Sequence, residues 1–400
     1  MRIALISYWT CPFMRLGVFQ SGGMGAYIQY LVSNLGQVGH QVDIYTRVHH
    51  GNEEKIVTIN QNIKVIHYSV NIKNHQSGLT EFTQRMITRI KKEKIQYDLL
   101  HCHYYFSGMI GLEMSKILNI PNVVNFHTTS AAKEKYLGIK DEVRKKMEFE
   151  VVRETDAIIV NTDLEKNELV ENYQADPKKV YIVSPGVDHT LFKKKDQHLA
   201  RKKLRLPFNK KIILFIGRID PVKGLRYLVD AVVMLSLRYS SFAKNFRLII
   251  IGGDNKNPSF WKNQEVAGIQ KNIISHNLQC CIKFIGSCSH KILPYYYNAS
   301  DIVVMPSLYE SFGLVVVEAM ACESCILASK VGGLKYLIQD GINGILFESG
   351  NVVQLYQKLY LLISNKKIRL KLGRNAGNSS QRYCWKYQTK KIIKIYQKLL

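Results

Sequence analysis

The chain has 400 residues, 46% of them hydrophobic, a size that calls for two domains with real interiors rather than one core. Its 56 Lys/Arg against 31 Asp/Glu give a net charge of +25, and no apolar run approaches the roughly 18 residues that a membrane span requires. Met1 to Tyr8 reads as a first strand, without the longer apolar core and cleavage site of a signal peptide, so the expected address is the cytoplasm.

From Met1 to Gly186, β-type runs at 3–9, 41–46, 63–69, 98–101, 123–127, 157–161 and 180–184 alternate with helical stretches, which predicts a mostly parallel sheet covered by helices on both faces. Ser21-Gly22-Gly23-Met24-Gly25 follows the first run and opens a helix, so a ligand can approach this backbone without Cβ obstruction. A dinucleotide fingerprint would need a third glycine where Ile28 stands, which argues against a nicotinamide enzyme. Asp98-Leu99-Leu100-His101-Cys102-His103-Tyr104-Tyr105 and Asn125-Phe126-His127-Thr128-Thr129 put three histidines at two strand ends. No acid or cysteine stands at ligand spacing from them, so zinc is not expected.

After a charged connector beginning Lys193-Lys194-Lys195-Asp196 the rhythm restarts, with runs at 211–217, 246–252, 282–286, 302–307, 326–329 and 344–347. The expected architecture is α/β, with two Rossmann-like doubly wound domains, residues 1–190 and 191–382, and a ligand cleft between them at the carboxyl ends of the strands. Gly217-Arg218-Ile219-Asp220-Pro221-Val222-Lys223-Gly224 places two cations at the mouth of the first strand of the second domain, where they can neutralise a diphosphate.

The run at 302–307 leads into Tyr309-Glu310-Ser311-Phe312-Gly313-Leu314-Val315-Val316-Val317-Glu318-Ala319-Met320. A helix opening near Phe312-Gly313 offers free N–H groups and a partial positive charge to phosphate. Carboxylates repel phosphate, so Glu310 and Glu318 are expected to accept hydrogen bonds from hydroxyls on either side of it. A nucleotide sugar has that layout: hexose, diphosphate, ribose. Eight scattered cysteines, with Cys322-x2-Cys325 the single pair at that spacing, read as reduced and structural.

Residues 1–190 carry 22 Lys/Arg against 20 Asp/Glu, residues 191–400 carry 34 against 11, and no acid follows Glu348. In the last segment Lys386, Lys390, Lys391, Lys394 and Lys398 share one arc of a helix, and Ile392, Ile393, Ile395, Tyr396, Leu399 and Leu400 share the other. This basic amphipathic helix either docks on the protein by its apolar stripe or is drawn to an anionic membrane or to nucleic acid. Burying each such side chain is worth roughly 1.5–3 kcal/mol, which favours docking.

The Glu310-x7-Glu318 segment resembles the Glu-x7-Glu motif of the retaining glycosyltransferases of family 4, which have the GT-B fold. The resemblance covers nearly the whole chain, including Ser184-Pro185-Gly186-Val187-Asp188 at the interdomain hinge and Gly332-Gly333 after Ser329. It implies that Glu310 binds hydroxyls of the transferred sugar and Glu318 the ribose, and that the backbone N–H groups of Phe312, Gly313 and Leu314 meet the sugar and diphosphate. Arg218 and Lys223 match the family's Arg-x4-Lys diphosphate element, and Gly22-Gly23 its first-domain glycine loop. His127 matches the active-site histidine that hydrogen-bonds the sugar near its reacting carbon. His103-Tyr104-Tyr105-Phe106-Ser107-Gly108 is similar in particular to enzymes that glycosylate inositol phosphate or make sucrose phosphate, which puts Tyr104 and Thr128 on the acceptor side. The helix over 383–400 is expected to cross back onto the first domain.

Two departures from the family pattern stand out. Glu323-Ser324-Cys325 replaces the usual Gly-x-Pro, and Gly25 replaces the Asn that follows Gly-Gly-Met in the inositol-phosphate enzymes.

The expected activity is a retaining, metal-independent and cofactor-free transfer of a hexose from a UDP- or GDP-linked sugar to a hydroxyl acceptor, whether sugar, sugar phosphate or lipid-linked glycan. His127, Glu310, Arg218 and Lys223 would be the catalytic residues. No carboxylate is placed as a double-displacement nucleophile, which points to a front-face mechanism. A GT-B nucleotide-sugar epimerase and a non-catalytic sugar- or anionic-surface-binding protein stay open as alternatives. Nucleic acid is not an expected partner, and the basic tail leaves peripheral contact with the inner face of a membrane to be tested.

Overall fold

The computed structural model describes residues 1–13, 22–49, 56–71, 75–239 and 242–400. Apolar, β-branched runs form the first sheet: β1 (Arg2–Ile6), β2 (Gln41–Arg47), β3 (Ile56–Asn60), β4 (Ile63–Tyr68), β5 (Leu99–His103), β6 (Asn122–Asn125), β7 (Ala157–Val160) and β8 (Val180–Ile182), in the order β3-β4-β2-β1-β5-β6-β7-β8. The interior strands β5, β6 and β7 are buried at every position, as a parallel sheet covered on both faces requires. β3 is an edge strand paired antiparallel to β4, mostly exposed and polar in its second half, which is why no apolar run announces it.

The second sheet contains β9 (Lys211–Ile216), β10 (Phe246–Ile251), β11 (Ile282–Gly286), β12 (Ile302–Met305), β13 (Ile326–Ser329) and β14 (Ile345–Phe347), all parallel, in the order β11-β10-β9-β12-β13-β14. Asp301, just before β12 and with a side chain only 8% exposed, accepts bonds from Arg201 at 2.7 Å, Arg369 at 3.2 Å and the Ile212 N–H at 2.8 Å, which ties two helices to this sheet.

Both sheets reverse strand order at their first strand, β1 lying between β2 and β5, and β9 between β10 and β12. Loops leaving the carboxyl ends at such a switch point part to opposite faces and open a crevice where ligands bind. In the first sheet those loops carry Trp9 and Tyr104. In the second they carry Lys223 and Glu310.

The chain divides into two compact units. Of the described residues, one takes 1–13, Gly23–Pro185 and, from the end of the sequence, Trp385–Leu400; the other takes Gly22 and Gly186–Cys384. In the helix Trp385–Leu399, Trp385, Ile392, Ile395 and Tyr396 are buried in one core cluster with Ile3, Leu5, Tyr27, Leu31 and Val123 of the same unit. Lys386, Lys390, Lys391, Lys394 and Lys398 are exposed. The buried stripe differs in detail from the predicted one: Gln388 and Thr389 belong to it, while Leu400 lies beyond the helix end and is 62% exposed. Among the described residues no helix is long and apolar enough to cross a membrane.

Candidate active site

The loop after β9 is shaped by three residues. The Asp220 side chain accepts the Lys223 N–H at 3.2 Å and so caps the single turn Pro221–Lys223, and Pro221 fits its first position. Gly224 closes the turn at φ 67, where a Cβ would overlap the Pro306 carbonyl. The Leu308 N–H donates to the Val222 carbonyl at 2.7 Å, stitching this loop to the one after β12. The result is a salt bridge: Lys223 Nζ lies 2.7 Å from Glu310 Oε2, with both side chains largely buried. Arg218 differs, with a 52% exposed side chain that pairs with Asp220 at 3.2 Å.

Past Glu310 the helix begins at Leu314, with Gly313 at φ 105 as its cap and no side chain bonding its first N–H groups. Gly332 and Gly333 hold the turn from behind. The Gly333 N–H donates to the Glu310 carbonyl at 2.9 Å, and a Cβ on either glycine would overlap the backbone of Glu310 or Phe312. The Phe312 ring is buried, edge-on to Tyr383 at 5.8 Å. Glu318, one turn into the helix, is buried too, its Oε2 accepting from the Tyr297 hydroxyl at 2.7 Å while Oε1 faces His290 Nε2 at 4.0 Å. Burial raises its carboxyl to about 7, partly offset by the Tyr297 bond, and lowers His290 to about 4.

A carboxyl raised in the folded state binds its proton more tightly there than in the unfolded chain. Its contribution is therefore fully present below the ordinary carboxylate pKa and is lost as pH rises through about 7. Glu318→Gln should remove this slope, so that melting curves from pH 5 to pH 8 show the wild type losing stability relative to the variant. Parallel curves for the two proteins would contradict a neutral buried Glu318.

Gly22 immediately precedes the helix Gly23–Gln37, and Ser21 of that motif lies outside the described residues. Tyr104 leads from β5 into the helix Tyr105–Leu118 at φ 76, its N–H donating to the Asn125 carbonyl at 2.8 Å. His127, after β6, has φ 62. Positive φ at two bulky residues costs on the order of 1–3 kcal/mol each, a strain that persists only where surrounding structure imposes it and that clusters at functional sites. His127 Nε2 lies 2.9 Å from His103 Nδ1, and burial lowers His127 to about 3, so its ring is neutral at physiological pH.

Tyr104 and Thr128 are brought together by a residue that sequence reading missed. Arg144, on the helix Glu142–Glu154, donates from Nη2 to the Thr128 carbonyl at 2.6 Å, lays its guanidinium 4.8 Å from the Tyr104 ring centre, and pairs with buried Glu148 at 2.7 Å. Trp9 was also missed; its ring stacks on Phe106, approaches Tyr104 at 5.8 Å and has the Arg47 guanidinium 5.4 Å above it.

Comparison with known proteins fits this geometry. The family description "Glycosyl transferases group 1" matches residues 196–379, and "Glycosyltransferase Family 4" matches residues 21–191. A D-inositol 3-phosphate glycosyltransferase of Corynebacterium glutamicum (strain R) is 32% identical over 413 residues, spanning 99% of this chain and 96% of its own. The chain belongs to glycosyltransferase family 4. Among solved structures, a sucrose-phosphate synthase from Thermosynechococcus elongatus is similar with a TM-score of 0.89 at 25% identity, covering 100% of this chain and 98% of its own. Anabaena HepE, solved with UDP and glucose, shares the fold with a TM-score of 0.79 at 19% identity, covering 99% of each chain. The two parallel-sheet domains are thus those of the GT-B fold.

Within family 4 the departure at Glu323 has a structural consequence. Glu323 takes φ 55, the left-handed conformation that a glycine adopts without strain. Gly373 and Gly377 of the helix Lys366–Ser380 make room for it, since a Cβ at either would overlap the Glu323 backbone or side chain. Glu323→Gly should accordingly stabilise the protein by about 1 kcal/mol, the usual left-handed penalty less the added freedom of the unfolded chain. A denaturant midpoint that falls instead would show that the Glu323 side chain contributes more than its backbone costs. Buried Cys322 and Cys325 flank this turn, and burial raises both thiols, as suits structural cysteines.

Proposed function

We propose that this family 4 enzyme moves a hexose from a nucleoside diphosphate sugar, UDP- or GDP-linked, to a hydroxyl acceptor, with retention of configuration and without a metal ion. The observation that carries the reading is the Lys223–Glu310 salt bridge at the switch point of β9 and β12, beside the uncapped start of the helix Leu314–Ala321. An ammonium group has three donors; one serves Glu310 and two remain for phosphate oxygens. Exposed Arg218 adds a planar fork, and the helix N–H groups of Phe312, Gly313 and Leu314 complete a diphosphate cradle. Glu310 orients sugar hydroxyls. Glu318, its carboxyl raised to about 7 and so about half protonated at that pH, can accept from ribose hydroxyls and, when protonated, donate to them.

At the carboxyl ends of the first sheet, neutral His127 is read as orienting the sugar near its reacting carbon, Gly22 and Gly23 as presenting backbone to the ligand, and Tyr104 and Thr128 as taking the acceptor. In a front-face step the bond from the anomeric carbon to the phosphate oxygen breaks with its electron pair leaving on the diphosphate. The acceptor oxygen bonds to the same face of that carbon, and its proton passes to the departing phosphate oxygen. Lys223, Arg218 and the helix start stabilise the charge that grows there.

The acceptor is a sugar, a sugar phosphate or a lipid-linked glycan. The name of the relatives favours a phosphorylated polyol, and Gly25 in place of Asn weighs against inositol phosphate itself. A thermal-shift screen of UDP, GDP and ADP sugars tests the donor, because a ligand at 100 times its Kd adds about 2.7 kcal/mol. One base should shift the melting point in excess EDTA; no shift with any, or a shift that requires magnesium, would overturn the reading. Liposome flotation reads the basic tail: salt-sensitive binding lost on changing Lys390, Lys391, Lys394 and Lys398 to Gln would place the acceptor at a membrane.

A further inference from the structure

Behind His127 lies a row of buried side chains that ends on the last helix of the chain. Tyr396 OH lies 2.6 Å from His101 Nδ1, His101 Nε2 lies 2.8 Å from Asn125 Oδ1, and Asn125 Nδ2 donates to the Ile159 carbonyl at 3.0 Å. These bonds admit one assignment of protons. A carbonyl only accepts, so the Asn125 amide nitrogen must face Ile159 and its oxygen must face His101. That oxygen needs a donor, which puts the His101 proton on Nε2. Burial lowers His101 to about 4, so the ring carries a single proton and its Nδ1 is a bare acceptor. The Tyr396 hydroxyl therefore donates to Nδ1, which reinforces the tautomer that Asn125 requires.

Asn125, once held, governs both strained strand ends. Its carbonyl accepts the Tyr104 N–H, and it stands two residues before His127. The His101 ring also lies against His103 with centroids 4.4 Å apart, and His103 Nδ1 meets His127 Nε2 at 2.9 Å. His103 Nε2 is buried without a partner. An unpaired buried N–H is the costlier orphan, so His103 carries its proton on Nδ1 and donates to His127, which leaves His127 with its own proton on Nδ1.

We propose that Tyr396 is a positioning residue of the active site: from the C-terminal helix it holds His101 in the tautomer that bonds Asn125, and through the His101–His103 ring contact it steadies the histidine pair that ends on His127. This rests on the reading of His127 as a sugar-orienting residue. Tyr396→Phe in the full chain keeps the buried ring and removes the hydroxyl, leaving the buried His101 Nδ1 without its donor and the Nε2–H tautomer held by Asn125 alone.

Turnover is expected to fall about 10-fold with the donor KM within about twofold. Long-range proton–nitrogen NMR should show the ring nitrogens of both His101 and His127 shifting. Ile392→Val, a deletion on the same buried stripe, should shift neither histidine and leave turnover unchanged, whatever it does to the melting point. Unchanged His127 nitrogens in Tyr396→Phe, or an equal loss of turnover in Ile392→Val, would overturn the proposal. The reading of His127 fails separately, if His127→Ala keeps full turnover; the coupled nitrogen shifts would then still report whether Tyr396 positions the row.

Discussion

Lys223→Ala is expected to lower turnover by about 100-fold or more, the usual effect of removing one fixed charge partner of a transition state. The variant should still fold. Its loss leaves the mostly buried Glu310 carboxylate unpaired, which costs on the order of 1–3 kcal/mol, so stability and activity must be read apart. The double variant Lys223→Met with Glu310→Gln removes both charges and should recover much of that stability without recovering turnover. Glu310→Ala alone should slow turnover, while Glu318→Ala should mainly weaken nucleotide binding, because a ribose contact is made equally before and during reaction. Steady-state kinetics decide: Glu310→Ala with normal turnover would refute the role given to the pair.

Truncation after Tyr383 should yield unstable or insoluble protein. It strips from the first unit the buried Trp385, Ile392, Ile395 and Tyr396, each worth roughly 1.5–3 kcal/mol, a sum comparable with the whole stability of a typical domain. It also exposes the core face formed by Ile3, Leu5, Leu31 and Val123. Changing Lys390, Lys391, Lys394 and Lys398 to Gln should leave stability nearly unchanged, since exposed charges contribute little. A truncated chain with the cooperative melting of the full one would show that the helix rests on the unit without supporting it.

Sequence periodicity locates thirteen of the fourteen strands among the described residues, because parallel strands buried on both faces are apolar along their length. The edge strand β3 escapes, having no buried face to mark it. Lys223 and Glu310 were each legible from the strand-loop-helix context, but not their pairing, which depends on β9 and β12 being neighbours across 87 residues of sequence. Arg144 and Glu148 stand four apart, a spacing that ordinarily marks an exposed helix pair; only their burial beneath Tyr104 gives them a part in the site. The apolar stripe of the last helix was readable, whereas the partner of the Tyr396 hydroxyl was not, since His101 is 295 residues away. The raised carboxyl of Glu318 likewise comes from burial beside Tyr297, which no local pattern shows.

The central claim is hexose transfer from a nucleotide sugar at a site whose positive charge is supplied by Lys223, Arg218 and a helix start. Phosphorus NMR of the enzyme with UDP- and GDP-sugars in excess EDTA, with and without hydroxyl acceptors, tests it most directly. Free nucleoside diphosphate should appear from one donor, faster with acceptor, and the Lys223→Ala protein should release about 100-fold less. No release from any donor, release that requires added magnesium or manganese, or full activity in Lys223→Ala would contradict it.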